Sequence, residues 1–374
     1  MHTLKPFDAA KAADICYDAK VSLTNAQDGI AGVPGLSENF NFGDMTGFSG
    51  RSGAFFKVKS GFGFVAKGSG KGYGNDYLVA IRGTAGVADG LTDANIGLQV
   101  SGTGKIVHAG FNRVFNDIVG HLDSRIPSGS NIHFCGHSLG GALATLGADW
   151  AVNKKGCKAK VYTFGSPRVG FKPFADRLSA GVGGENIFRV HRSTDMVPMV
   201  PIWPFVHVPQ PGRSYKLENE GFYSPKDAHS IENYVDSVLG LEWASLIAPE
   251  SVMNTQDASV EVLSLSGLKT LGVTALSMIG RAIAFILKAA GIIFQGGFIA
   301  GISILDMLSL ALEKAYKVSK EIAGWVRILI EKIASLVGIV VGKTVDITVS
   351  LIGFVFNTMM RAIRSAVRFA MLGV

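Results

Sequence analysis

The sequence predicts an α/β body followed by a wholly helical one, and three observations carry that prediction. Short apolar runs separated by helix-length stretches recur through the first 250 residues, the alternation expected of strands and helices in layers. Residues 250–259 are polar and read as a linker. The charge then changes character. Through residue 265 there are 24 basic and 24 acidic side chains, whereas residues 266–374 carry 12 basic against 5 acidic, so the net charge of +7 belongs to the second body. The expected division is an α/β body over 1–250, a linker over 251–265 and a helical body over 266–374.

Taken in order, residues 53–58 and 62–66 are short apolar runs, and the first is bounded by Gly53 and Gly61. A glycine-rich turn from Gly68 to Gly74 leads to a third run at 77–82. Later runs at 131–135, 160–164 and 187–191 are spaced widely enough for helices between them, which implies parallel pairing with helices on both faces. No repeat of fixed period stands out in either half.

Composition excludes several classes. With 48% hydrophobic and 17% charged residues, a disordered chain is ruled out. Basic charge confined to one end does not suit a uniformly basic nucleic-acid binder, so no nucleic-acid partner is expected. Cys16, Cys135 and Cys157 are too few for a disulfide framework and lack metal-type spacing. No metal or cofactor site is expected. The first residues lack a cationic stretch followed by an apolar one, so the chain is expected to be made in the cytoplasm without a cleavable secretory signal.

The chemistry concentrates at Gly136, His137, Ser138, Leu139 and Gly140, a G-x-S-x-G stretch. It lies between the β-type run 131–135 and a helical pattern from Leu139 with small residues where a helix approaches a sheet. A serine on so tight a turn needs glycines two before and two after it, because side chains there would collide. The helix that follows aims backbone N–H groups and its positive dipole end at a reacting carbonyl. The alternative is an ordinary glycine-rich turn with a solvent-facing serine.

In this architecture an acid and then a histidine follow the serine along the chain. The downstream histidines are His191, His207 and His229. Asp195 follows the run 187–191 and precedes Met196, Val197 and Pro198, where a strand gives way to a loop. His229 opens the helical stretch 230–241. His207 sits on an apolar run and reads as a pocket-lining residue, with catalysis as its alternative; His191 is too close to Asp195 in sequence to suit the role.

These residues resemble the class 3 lipases, the family of fungal-type triacylglycerol lipases and their bacterial relatives. The similarity rests on Gly-His-Ser-Leu-Gly-Gly-Ala-Leu-Ala at 136–144, Tyr-Thr-Phe-Gly-Ser-Pro-Arg-Val-Gly at 162–170 and Arg-Val-His-Arg-Ser-Thr-Asp-Met-Val-Pro at 189–198. Segments 79–84, 107–111, 205–207 and 228–234 add to it, and together the pieces span 77–234. The resemblance implies an α/β-hydrolase fold, with Ser138 as nucleophile, Asp195 as orienting acid and His229 as general base. It also implies an oxyanion hole of the Leu139 N–H and the N–H or hydroxyl of Thr84, whose other reading is a strand-terminal turn residue. Residues 85–98 stand where the family has its lid, but they hold no tryptophan and several glycines. A mobile loop, an already open site or an ungated surface loop are the readings of that stretch.

The second body has uncharged runs at 270–280, 289–305, 333–342 and 347–360. The longest, 17 residues, is at the short end of what spans a bilayer. Lys314, Lys317, Lys320, Glu321, Arg327 and Glu331 fall at helical spacing, as do Arg361, Arg364 and Arg368. An apolar majority face beside a basic stripe suits a membrane surface, with arginines on phosphate head groups. A bundle burying those faces against itself or the first body is the alternative.

The expected function is hydrolysis of carboxylic esters of membrane glycerolipids, without a cofactor. The chain is similar in this to lipase effectors of type VI secretion, which would make a secretion apparatus and an immunity protein its partners. A membrane-perturbing toxin acting through its tail and an intracellular lipid-remodelling esterase are the competing readings.

Overall fold

Where a polar linker and a run of short strands are expected, chain connectivity decides the outcome. The computed structural model describes residues 1–18, 23–52, 58–83, 97–210, 212–218, 224–248, 265–293 and 303–371. It opens with helices α1 (Pro6–Asp18), α2 (Leu23–Ala31) and α3 (Pro34–Ser37), followed by strands β1 (Phe40–Ser52), β2 (Val58–Gly68) and β3 (Asp76–Ile81) and short β4 (Leu98–Val100) and β5 (Ile106–His108). Strands and helices then alternate through α4 (Ala109–Asp123), β6 (Asn131–His137), α5 (Leu139–Lys155), β7 (Lys158–Phe164), β8 (Gly170–Phe171), α6 (Lys172–Val182) and β9 (Ile187–Arg192). β10 (Phe205–Val206), β11 (Tyr215–Leu217), α7 (Pro225–His229) and α8 (Ile231–Val238) complete the first body. Four helices make the second: α9 (Val273–Ala289), α10 (Ile304–Tyr316), α11 (Lys320–Leu336) and α12 (Val349–Ala370).

The main sheet has the order β1-β2-β3-β6-β7-β9-β11, and beside it lies a small sheet of order β10-β8-β5-β4. The runs expected to pair in parallel, 131–135, 160–164 and 187–191, do so as β6, β7 and β9; the strands before them differ. β3, β6, β7, β9 and β11 run parallel, but β1, β2 and β3 pair antiparallel. The reason is the length of the Gly68–Gly74 turn, too short for the crossover that parallel neighbours need. Residues 53–57, most of one expected run, and the linker 250–259 lie outside the described residues. So do Thr84 and most of the lid segment, 85–96; its end, Leu98, begins β4.

Alternate side chains of the central strands enter opposite cores, as the period of two requires. Val79, Ile81, Ile132, Phe134 and Val161 face α4 and α5, whereas Leu78, Ala80, Cys135, Tyr162 and Phe164 face α1 and α8. The expected helices on both faces are thus present. All three cysteines are buried as free thiols.

In the second body, helical periodicity places apolar residues inward. Ile279, Ile283 and Ile286 of α9, Leu308 and Leu312 of α10, Val326, Ile330 and Ile333 of α11, and Val355, Met359 and Ile363 of α12 are all buried. They belong to the same apolar cluster as Phe134, Ile202 and Phe205 of the first body. The tail therefore shares its core with the α/β body, the alternative arrangement for these faces. The stripe from Lys314 to Glu331 does not lie on one helix: Ser319 caps α11 by accepting from the Ile322 N–H, so the chain breaks between Tyr316 and Lys320. Among the described residues no helix is long and apolar enough to cross a membrane. α12 packs on α7, and α9 on the short turn Val197–Met199.

Candidate active site

Steric exclusion builds the turn at Ser138. β6 ends at His137 and α5 begins at Leu139, which forces Ser138 to φ 56°, ψ −129°. Among the described residues it is the one non-glycine with positive φ, a strained conformation that persists only where the surroundings impose it. A Cβ on Gly136 would lie 2.3 Å from the Gly140 carbonyl oxygen, and one on Gly140 would lie 1.9 Å from that of Ile81. Both glycines are sterically required. Leu139 opens α5, so its N–H has no intrahelical acceptor and faces the start of the helix.

The structure brings Ser138, Asp195 and His229 together and leaves His191 and His207 elsewhere. His229 Nε2 lies 2.9 Å from Ser138 Oγ, and His229 Nδ1 lies 2.8 Å from Asp195 Oδ2. A carboxylate only accepts, so Nδ1 carries the proton and Nε2 is left to accept from the serine hydroxyl. The Val197 N–H donates to Asp195 Oδ1 at 2.9 Å, and Tyr234 Oη donates to Asp195 Oδ2 at 2.8 Å. Burial, reinforced by the Asp195 charge, pushes the Tyr234 phenol well above its ordinary pKa, which keeps it a donor. All three residues, Ser138, Asp195 and His229, are 0% exposed.

Gly165 permits this approach. Its φ is +57°, and a Cβ there would lie 2.8 Å from Asp195 Oδ2 and 3.0 Å from His229 Nδ1. Alanine at this position is expected to cut ester hydrolysis by at least a hundredfold and to lower stability by about 1–3 kcal/mol through backbone strain. Steady-state kinetics beside urea melts measure both. Unchanged kinetics would show that the acid–histidine contact tolerates displacement.

His137 does more than occupy the elbow. His229's carbonyl oxygen lies 2.7 Å from His137 Nε2, so that nitrogen carries the proton and Nδ1 accepts from Tyr17 Oη at 2.8 Å. Tyr17 Oη in turn accepts from the Gly83 N–H at 3.0 Å. Burial, then the neighbouring His229, holds the His137 pKa well below its ordinary value, which preserves this neutral tautomer. The network ties the histidine-bearing helix to the end of β3. Tyr17→Phe is expected to lower kcat about tenfold while KM changes little, because a buried N–H and a ring nitrogen lose their partner at a cost of about 1–3 kcal/mol. An equal effect on KM would argue against a positioning role.

His207 accepts from Arg168 Nε at 3.2 Å. Burial and then the charge of Arg189 hold its pKa well below the ordinary value. Burial likewise lowers His191 to about 3. The described residues contain no group of three metal-ligating side chains.

Residues 78–205 match the family model described as Lipase (class 3). Over 160 residues the chain is 31% identical to a secreted mono- and diacylglycerol lipase of Fusarium solani, covering 40% of this chain and 46% of that protein. It is 33% identical over 128 residues to a phospholipase A1-IIgamma of Arabidopsis thaliana, covering 30% of each. The chain thus spans less than half the length of these relatives. A lipase structure from Rhizopus microsporus var. chinensis aligns with 56% of this chain and 72% of its own at a TM-score of 0.40 and 22% identity. Residues 78–205, which hold the serine turn, Asp195 and the centre of the main sheet, are the part of this chain that is similar to the class 3 lipases.

Proposed function

We propose that this protein is a serine esterase that hydrolyses carboxylic ester bonds of membrane glycerolipids. The observation that carries the reading is the continuous hydrogen-bonded relay from Ser138 Oγ through His229 to Asp195. Ser138 Oγ attacks the ester carbonyl as His229 Nε2 takes its proton; the same proton then leaves with the alcohol, and an acyl-serine remains. Water, deprotonated by His229, attacks the acyl-serine and releases the fatty acid. Asp195 fixes the imidazole tautomer and stabilises the imidazolium formed in each half-reaction. The Leu139 N–H stabilises the oxyanion, and Thr84 is the proposed second donor.

The substrate class is inferred from the relatives, which are named as acylglycerol lipases and phospholipases A1. A lipid surface also suits the tail, whose Leu310, Ile328, Phe354 and Phe369 are exposed, as are Arg361 and Arg368. Because the catalytic groups are buried, a substrate reaches Ser138 only when part of its surroundings moves. Mass spectrometry of mixed phospholipid and diacylglycerol vesicles tests the proposal. Free fatty acid with matching lysophospholipid or monoacylglycerol is expected from the intact chain and none from Ser138→Ala. Equal release by both would overturn it.

A further inference from the structure

Two cavities lie end to end along one stripe of α9 where the tail meets the α/β body. The smaller, about 30 Å³, is lined by Arg168, His207, Gln210, Ser277 and Arg281. The larger, about 890 Å³, is lined chiefly by Phe171, Phe174, Trp203, Leu287 and Ile292. Trp203 and Val206 line both. On α9 the lining residues Ser277, Arg281, Ala284, Leu287 and Lys288 recur at three- and four-residue spacing, one face roughly 17 Å long at 1.5 Å per residue.

Among the described residues the small cavity is cationic without a matching anion. Arg168 is buried, and among the described residues its guanidinium meets His207 Nε2, the Pro201 carbonyl and Met199 Sδ. Arg281 Nε is buried with no hydrogen-bond partner. A buried guanidinium without a carboxylate is costly, and Arg168 with the half-buried Arg281 beside it on one cavity calls for an anion between them. Burial, with repulsion from Arg189, brings Arg168 down to about 9, the response expected of a charge lacking its counter-ion. A volume of about 30 Å³ is roughly twice what one water needs by the ~10–15 Å³ criterion, which suits the two oxygens of a carboxylate. The adjoining chamber is apolar and within the ~300–1,000 Å³ range of small-molecule sites. Three lysines also line it: Lys172 is paired with Asp176 at 2.7 Å, Lys288 is exposed and Lys105 is half-buried.

We propose that this seam binds a long-chain fatty acid, its carboxylate between Arg168 and Arg281 and its chain along α9 in the apolar chamber. The site is separate from Ser138 and is tested without catalysis, so it stands or falls independently of the esterase reading. Laurate is titrated into the full-length Ser138→Ala chain by calorimetry, with 1-dodecanol as the uncharged comparison. One laurate per chain is expected, with dodecanol at least tenfold weaker. Arg281→Met is expected to weaken laurate at least tenfold by removing the charge, and Ala284→Trp to abolish binding by filling the chamber. Ala284→Leu serves as the smaller plug should the tryptophan disturb folding. Equal binding of laurate and dodecanol overturns the carboxylate site. Unchanged affinity in both the Arg281 and Ala284 variants overturns the seam, as does the absence of binding at about 1 mM laurate.

Discussion

Alanine at position 138 is expected to lower kcat for a soluble short-chain ester by about 10⁴–10⁶-fold, because among the described residues Ser138 Oγ is the nucleophile that His229 Nε2 meets. The fold should be unaffected, since alanine keeps the backbone and loses one hydroxyl. Asp195→Asn is expected to cost about 10⁴ for a different reason. The amide presents a donor to His229, which favours the tautomer with its proton on Nε2 and leaves no acceptor for Ser138. The two losses should not add, because each breaks the same relay; the double variant should resemble Ser138→Ala alone. Single-turnover kinetics with urea melts on all three chains decide the matter. Retention of more than a hundredth of the activity in Ser138→Ala would place the chemistry elsewhere. Ser138→Gly adds a structural check. It should be equally inactive yet more stable than the alanine variant by about 1 kcal/mol, because φ 56° suits glycine.

What the sequence made legible follows from how local each signal is. The serine turn could be read because its requirements fall within five residues: two glycines, a strand before and a helix after. Chain order admits both His207 and His229; the loop-tip position of His229 and the apolar run around His207 separate them, and the structure places His229 at Ser138 while His207 meets Arg168. Tyr17 had no such signal. It lies 120 residues from His137, and nothing around it marks a helix residue whose phenol links the end of β3 to the base-bearing helix. Gly165 stood within a quoted motif, but its need for positive φ and an empty Cβ position arises only once Asp195 and His229 converge on it. Strand β1 carries no strand signal, because its residues are rich in glycine and polar side chains and show no apolar run. The tail misled differently. Apolar helix faces look alike whether they meet lipid or protein, so composition alone could not assign Ile279 or Ile283 to a core shared with Phe205.

That shared core makes deletion of residues 266–374 the second large effect. If the two bodies were independent, a chain ending at 265 would keep its activity on soluble esters and lose only its action on vesicles. The packing predicts otherwise. Met199, Ile202 and Phe205 belong to the cluster completed by α9 to α12, and uncovering side chains of this size costs about 1.5–3 kcal/mol each. Three of them approach the whole stability of an ordinary domain, about 5–15 kcal/mol. The damage also falls near the chemistry, since Met199 follows Asp195 by four residues and α12 packs on the helix that ends in His229. The truncated chain is therefore expected to be aggregated or protease-sensitive and inactive on soluble and vesicular esters alike. Limited proteolysis and short-chain ester hydrolysis are the measurements. A soluble, fully active 1–265 fragment would show that the α/β body closes its own core, and that the tail rests on a surface already sealed.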